Sequence, residues 1–143
     1  MVERATDMDA IARILNHPKV YDGISDDLSV FPFVPDPSHF CLINEEKTGV
    51  VRIDPVNSVT CAVHIAALPE LWGRVVGFVK EGIEWTFKNT LYSKIIGFTP
   101  ENNRSAVALA KRCGFKEEGR IVKSFLKHWE LHDQIVFGLS KYS

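Results

Sequence analysis

The chain has 143 residues, 45% of them hydrophobic and 24% charged, and its mean hydropathy of −0.03 is that of a globular chain rather than a fibrous, disordered or membrane one. Seventeen basic residues against eighteen acidic ones leave a formal charge of −1, which excludes a bulk electrostatic attraction to nucleic acid or to an anionic membrane. No stretch approaches the roughly 18 apolar residues of a membrane span, and the first nine residues hold acids and bases without the apolar run of a leader. Cys41, Cys61 and Cys113 form an odd, widely spaced set with no C-x-x-C pair. That fits neither a disulfide framework nor a zinc ribbon, and it points to a reducing cytoplasm.

Residues 1–143 read as a single domain, without repeat, low-complexity tract or long linker. Residues 2–5 suit a short edge strand. Thr6 to Asp9 has the S/T-x-x-[DE] form of a capping box, and Met8, Ile11, Ala12 and Leu15 follow at helical spacing until Pro18. Residues 21–37 carry Gly23, three prolines and many acids and serines, with Phe31 and Phe33 among them; this is a long connection with room for one helical turn. Three strands are predicted next, over 40–44, 50–54 and 59–68. In the third, Val59, Cys61, Val63, Ile65 and Ala67 alternate with Thr60, Ala62, His64 and Ala66, which puts His64 on the face opposite the bulky apolar set.

A break at 69–73 leads into a helix with Val76, Val79, Ile83 and Phe87 on one stripe. A strand over 94–99 follows. Asn103 then opens a second amphipathic helix carrying Ala106, Leu109, Ala110 and Cys113, stopped by Gly114. Strands beginning at Phe115 and near Gln134 flank residues 123–132. The order is β-α-loop-β-β-β-α-β-α-β-β, a mixed α+β pattern.

The junction over residues 66–77 is the chemically informative one. A helix start offers free backbone N–H groups and a positive dipole end to an anion, Gly73 and Gly77 allow close approach, and Arg74 adds charge. Two glycines that merely permit a tight turn and close helix packing account for the same spacing.

Taken together, VERATDMD at 2–9, ALPELWGR at 67–74, PENNRS at 100–105 and KRCGFKEEG at 111–119 resemble the GNAT superfamily of N-acetyltransferases, in the right order and over nearly the whole chain. Within it they are similar to the branch that includes ribosomal-protein N-terminal acetyltransferases. The resemblance implies a GNAT-like acyl-CoA N-acyltransferase fold: a mostly antiparallel twisted sheet of six or seven strands, splayed at the cofactor site and flanked by three to four helices. It implies acetyl-CoA as cosubstrate, with the pantetheine arm along Ala66, Ala67 and Leu68. The pyrophosphate falls on Trp72, Gly73, Arg74, Val75, Val76 and Gly77, and Asn103, with Ser105 beside it, hydrogen-bonds the arm. The acceptor is a primary amine, and the final strands either pair across a homodimer or stay within one chain.

Three positions depart from the family pattern. Glu70 stands where the phosphate loop usually has glutamine or arginine, Val75 stands at its second glycine, and Ala110 replaces a tyrosine that in many members protonates the leaving thiolate.

Two residues are candidate bases. His64 lies near the end of the central strand, with an ordinary pKa near 6.5 suited to general base catalysis, and Glu70 is placed to act through water. A strand histidine satisfied by a neighbour and a solvated turn glutamate are the plainer alternatives. His128 and His132 have the i, i+4 spacing of a zinc site on a helix, but no third ligand is evident nearby and no metal is expected. Cys113 reads as a packed small apolar residue, and Phe31, Phe33, Trp85 and Phe87 as core, the first two being also available to an acceptor pocket.

Two functions therefore stand: an acetyl-CoA-dependent N-acetyltransferase acting through a ternary complex, and a catalytically silent GNAT-like structural or assembly protein. The second is suggested by similarity to small acetyltransferase-like proteins of tailed phages and prophages, and its partners would be particle proteins.

Overall fold

The structure is a computed structural model and describes residues 1–142. Among them, strands β1 (Val2–Arg4), β2 (Phe40–Asn44), β3 (Gly49–Pro55), β4 (Thr60–Ala67), β5 (Lys94–Pro100), β6 (Lys116–Lys127) and β7 (Glu130–Ser140) form one sheet in the order β1-β2-β3-β4-β5-β7-β6. Helices α1 (Met8–Leu15), α2 (Pro18–Ile24), α3 (Val75–Asn89) and α4 (Arg104–Arg112) flank it, and a 3-10 turn (Pro69–Arg74) precedes α3. Every neighbouring pair is antiparallel except β4 with β5, which is parallel. No described helix is long and apolar enough to cross a membrane.

Strand alternation decides which helix covers which face. Val51, Ile53, Cys61 and Ile95 bury against Phe78 and Val79 of α3, together with Ile135, Phe137 and Cys113. Their even-numbered neighbours Val50 and Ala66, with Cys41 and Ile43 of β2, bury against Ala10, Ile11 and Ile14 of α1 and Val20 of α2. Strands β1 to β4 are thus covered on both sides. On β5 and β7 the residues facing away from α3 are left open: Phe98 is 40% exposed, and Ile96 and Val136 are half-buried.

Four local expectations are corrected. Asp7, not Thr6, caps α1, its Oδ1 accepting from the Ala10 N–H at 3.0 Å. Pro18 opens α2 instead of ending α1, because the first turn of a helix does not need the N–H that proline lacks. The stripe that α3 buries is Phe78, Val79, Gly82 and Thr86, with Val76, Ile83 and Phe87 half-buried beside it. Gly82 lets Val51 of β3 come close, a contact invisible to a count of bulky residues. Residues 123–132 are not a break between two strands: β6 and β7 run into them and reverse at His128 and Trp129, both at positive φ (53° and 59°), the two left-handed positions of a type I′ turn.

The connection between α2 and β2 is tied down at several points. Asn16 at the end of α1 both donates to and accepts from the Phe33 backbone, at 2.8 and 2.7 Å. The Asp27 carboxylate accepts from the backbone N–H groups of His128 and Trp129, at 3.1 and 2.7 Å. Lys127 Nζ donates to the carbonyls of Asp22 and Ser25. Phe31 and Phe33 pack on Tyr21 with ring centroids 5.0 and 4.8 Å away and belong to neither core cluster, so the reading of them as core is corrected. Phe31 is 61% exposed.

Candidate functional site

Strands β4 and β5 pair only from Thr60 to Ala62 against Lys94 to Ile96. Beyond that β4 stays with β3 as far as Ala67 opposite Gly49, while β5 stays with β7 as far as Pro100 opposite Gln134. The two halves of the sheet therefore part, and residues 63–67 of β4 present one edge without a strand partner. An unpaired edge is a row of N–H donors and C=O acceptors for an extended amide chain. Leu68 N–H donates back toward β3, to the Thr48 carbonyl at 2.7 Å, so Ala67 turns its own groups into the cleft. The Ala67 carbonyl is already engaged, accepting from the indole Nε1 of Trp72 at 2.9 Å.

The chain turns at Pro69 and enters α3 with no side-chain cap on either the 3-10 turn or the helix and no acid in the first turn of α3. The dipole end of a 15-residue helix is thus left for another anion. A Cβ on Gly73 or Gly77 would meet nothing within 4 Å, so the approach to this turn is open. Gly49 fixes where the turn sits: a Cβ there would strike Leu71 at 2.6 Å and Phe78 at 2.8 Å, so the bare residue lets the turn and the start of α3 settle on β3. Arg74 is exposed and paired with Glu46 of the β2–β3 turn at 3.1 Å. Ala66, Ala67 and Leu68 are buried, Trp72 is half exposed, and Val75 and Val76 are half-buried.

His64 lies on β4 opposite Arg52 of β3, on the face that carries α1 and α2, as the alternation requires. Its Nε2 is 3.1 Å from Asp54 Oδ2, and Arg52 donates to the same oxygen from Nε at 3.2 Å while its Nη2 lies 3.0 Å away in an ion pair. The His64 side chain is 48% exposed; burial of the remainder, helped by the Arg52 charge, pulls the imidazole below its usual pKa, while Asp54 opposes the shift. The ring is neutral at pH 7 and able to accept a proton. Arg52 and Asp54 escaped the sequence reading. The signal was present, since residues 52, 54 and 64 share a face once the hairpin joining β3 and β4 is registered. Glu70 lies exposed in the first turn of the 3-10 segment and is not part of this cluster.

Asn103 caps α4, its Oδ1 accepting from the Ala106 N–H at 3.2 Å and from Ser105 Oγ at 3.1 Å. Its Nδ2 donates to the Gly23 carbonyl at the end of α2, at 3.3 Å. The start of α4 is thereby pinned to α2 across the mouth of the cleft.

His128 and His132 occupy a turn and a strand rather than a helix, so their i, i+4 spacing does not place them on one helical face, and no metal-binding group exists among the described residues. Cys41, Cys61 and Cys113 are buried and unpaired, and burial pushes all three thiols up, Cys61 to about 11. None is a thiolate nucleophile at neutral pH.

No family model and no curated sequence matches the chain. Solved structures do match its fold. The spermidine N-acetyltransferase from Vibrio cholerae in complex with CoA and spermine superposes with a TM-score of 0.77 at 18% identity, over 99% of this chain and 95% of that one. A protein from Streptococcus mutans UA159 gives a TM-score of 0.76 at 16% identity over 99% of both chains. The fold is thus the GNAT acyl-CoA N-acyltransferase fold, as the motifs imply, with a seven-stranded sheet and four helices.

Proposed function

We propose that the chain is an acetyl-CoA-dependent N-acetyltransferase that delivers acetyl to a primary amine by direct attack in a ternary complex. The observation that carries this reading is the parting of β4 from β5 beside an uncapped helix start, with a neutral histidine on the same strand. The residues present fit acetyl-CoA. Ala66 to Leu68 supply the strand edge for its arm, residues 72–77 and Arg74 supply donors and charge for its pyrophosphate, and Asn103 and Ser105 close the mouth. Bound there, the thioester supplies an activated acyl group.

Around it, the N–H groups of Ile65 and Ala67, which the register with β3 turns toward the cleft, would be donors for an oxygen gaining charge, and the cleft would hold amine and acyl carbon in contact. His64 takes the proton that the attacking ammonium must lose. With Ala110 in place of the family's tyrosine, the departing thiolate would take its proton from the imidazolium or from water. The buried cysteines argue against a covalent acyl relay. The open face of β5 and β7 offers the amine a path, and the polyamine in the Vibrio cholerae complex makes polyamines the first acceptors to try. Buried unpaired thiols suit a cytoplasmic setting.

A second reading, a GNAT-fold assembly protein without turnover and similar to small phage proteins, is favoured by Val75 and Ala110 at two functional positions and by the Trp72 indole on the strand edge. Calorimetric titration with acetyl-CoA, followed by thiol release against spermidine, small amines and peptide N-termini, separates the two. On the enzyme reading His64→Ala lowers turnover by about 10²–10⁴-fold with little change in acetyl-CoA affinity. Absence of acetyl-CoA binding and of turnover with every acceptor leaves the assembly reading.

A further inference from the structure

Three nitrogens converge on one oxygen. Asp54 Oδ2 lies 3.1 Å from His64 Nε2, 3.0 Å from Arg52 Nη2 and 3.2 Å from Arg52 Nε. We propose that Asp54, clamped by Arg52, is a positioning residue that holds His64 as the Nε2–H tautomer and makes Nδ1 the nitrogen that accepts the proton of the acceptor amine.

The argument is one of hydrogen-bond chemistry. An ionised carboxylate only accepts, so the imidazole nitrogen that faces it carries the hydrogen; in a neutral ring the other nitrogen then holds the lone pair. Arg52 restrains Asp54, its Nε donating to that oxygen at 3.2 Å and its Nη2 lying 3.0 Å from it. Residues 52 and 54 are on the same face by strand alternation, and the pairing of Arg52 with His64 and of Asp54 with Ala62 brings that face against the imidazole. The charged groups acting on His64 are Arg52 and Asp54 from β3 and His39 from the segment leading into β2. Arg52 and His39 disfavour a second proton on the ring, and Asp54 favours it. The carboxylate thus offsets a neighbouring cation that would otherwise make His64 a poorer base.

The step balances. The amine nitrogen gives one proton to Nδ1, Nε2 keeps its own, and the imidazolium formed is stabilised by the carboxylate on its far side. Asp54 stays ionised throughout.

This rests on the acyl-transfer reading for its chemistry but has a readout independent of it. Nitrogen NMR of selectively labelled histidine reports the tautomer of His64 in the whole chain, assigned by its disappearance in His64→Gln. The expected result is an Nε2–H ring in the native protein and a mixed or inverted tautomer in Asp54→Asn. In kinetics, Asp54→Asn is expected to lower kcat by about tenfold or more, less than loss of the base itself, with the KM for acetyl-CoA nearly unchanged. The acid limb of the rate profile moves to lower pH, because the group that raises the His64 pKa is gone; Asp54→Glu recovers part of kcat. An Nδ1–H ring in the native protein, or an unaltered tautomer and titration midpoint in Asp54→Asn, overturns the proposal. A native protein that shows no turnover defeats the acyl-transfer reading alone, and the NMR spectra still decide the role of Asp54.

Discussion

The indole Nε1 of Trp72 donates to the carbonyl of Ala67 at 2.9 Å, so a residue of the 3-10 turn closes a hydrogen-bonding position at the end of the cleft strand. An amide arm that pairs with the β4 edge at that point must displace the indole, which is half exposed.

Trp72→Phe is therefore expected to tighten acetyl-CoA binding by about 0.5–1.5 kcal/mol, the net worth of one neutral hydrogen bond that no longer has to be broken. Calorimetry on both proteins measures it. Equal affinities would mean that the arm does not use the Ala67 carbonyl.

Arg74 and Glu46 form an exposed pair, worth little to the fold but decisive for the sign of charge beside the turn. Arg74→Glu places two carboxylates there and is expected to weaken acetyl-CoA binding, whereas Glu46→Gln frees the guanidinium and strengthens it. The difference should shrink in high salt. Affinity indifferent to both substitutions, with unchanged circular dichroism, would move the pyrophosphate away from residues 72–77.

Asn103 makes two separable contributions, one from each end of its amide. Asn103→Asp keeps the oxygen that caps Ala106 and loses the donor to Gly23, so stability is nearly retained while cofactor affinity falls. Asn103→Ala loses the cap as well, at about 0.5–2 kcal/mol by denaturant unfolding. An aspartate variant normal in both respects would leave Asn103 a cap and nothing more.

The His64 imidazole is held below its ordinary pKa by burial and by Arg52, while the unfolded chain keeps the ordinary value. The folded state therefore binds fewer protons on the acid side. This contribution to stability is complete above about pH 6.5 and is lost as pH falls through the depressed folded value. Melting temperatures from about pH 8 to about pH 5 should fall less steeply for His64→Gln than for the native chain; below about pH 4 the carboxylates dominate both curves. Superimposable slopes would assign the acid loss to another group.

The order of elements along the chain, α2 apart, was legible because β3 and β4 alternate cleanly and because Gly114, at φ 94°, ends α4 where the pattern stops. The resemblance carried by PENNRS and KRCGFKEEG in the second half of the chain implies the fold without reference to register or packing. The His64 face was likewise readable from period two alone. What could not be read was whatever depends on register between distant segments. Asp54 and Arg52 become partners of His64 only after the β3–β4 hairpin is aligned, and the Trp72 indole finds Ala67 only after the 3-10 turn folds back. The β6–β7 turn was missed because His128 and Trp129 adopt left-handed conformations usually given to asparagine and glycine. Their N–H groups are satisfied by Asp27, about a hundred residues upstream, a compensation that no local window contains.

That same carboxylate makes the α2–β2 segment and the last hairpin a single clasp. Three anchors hold it: Asp27 on two consecutive amides, Lys127 on the carbonyls at the end of α2, and Asn103 on Gly23. They join pieces of chain that would otherwise fluctuate separately, so the amides of Trp129, Asp27 and Ser25 should exchange with solvent in one shared opening event rather than three.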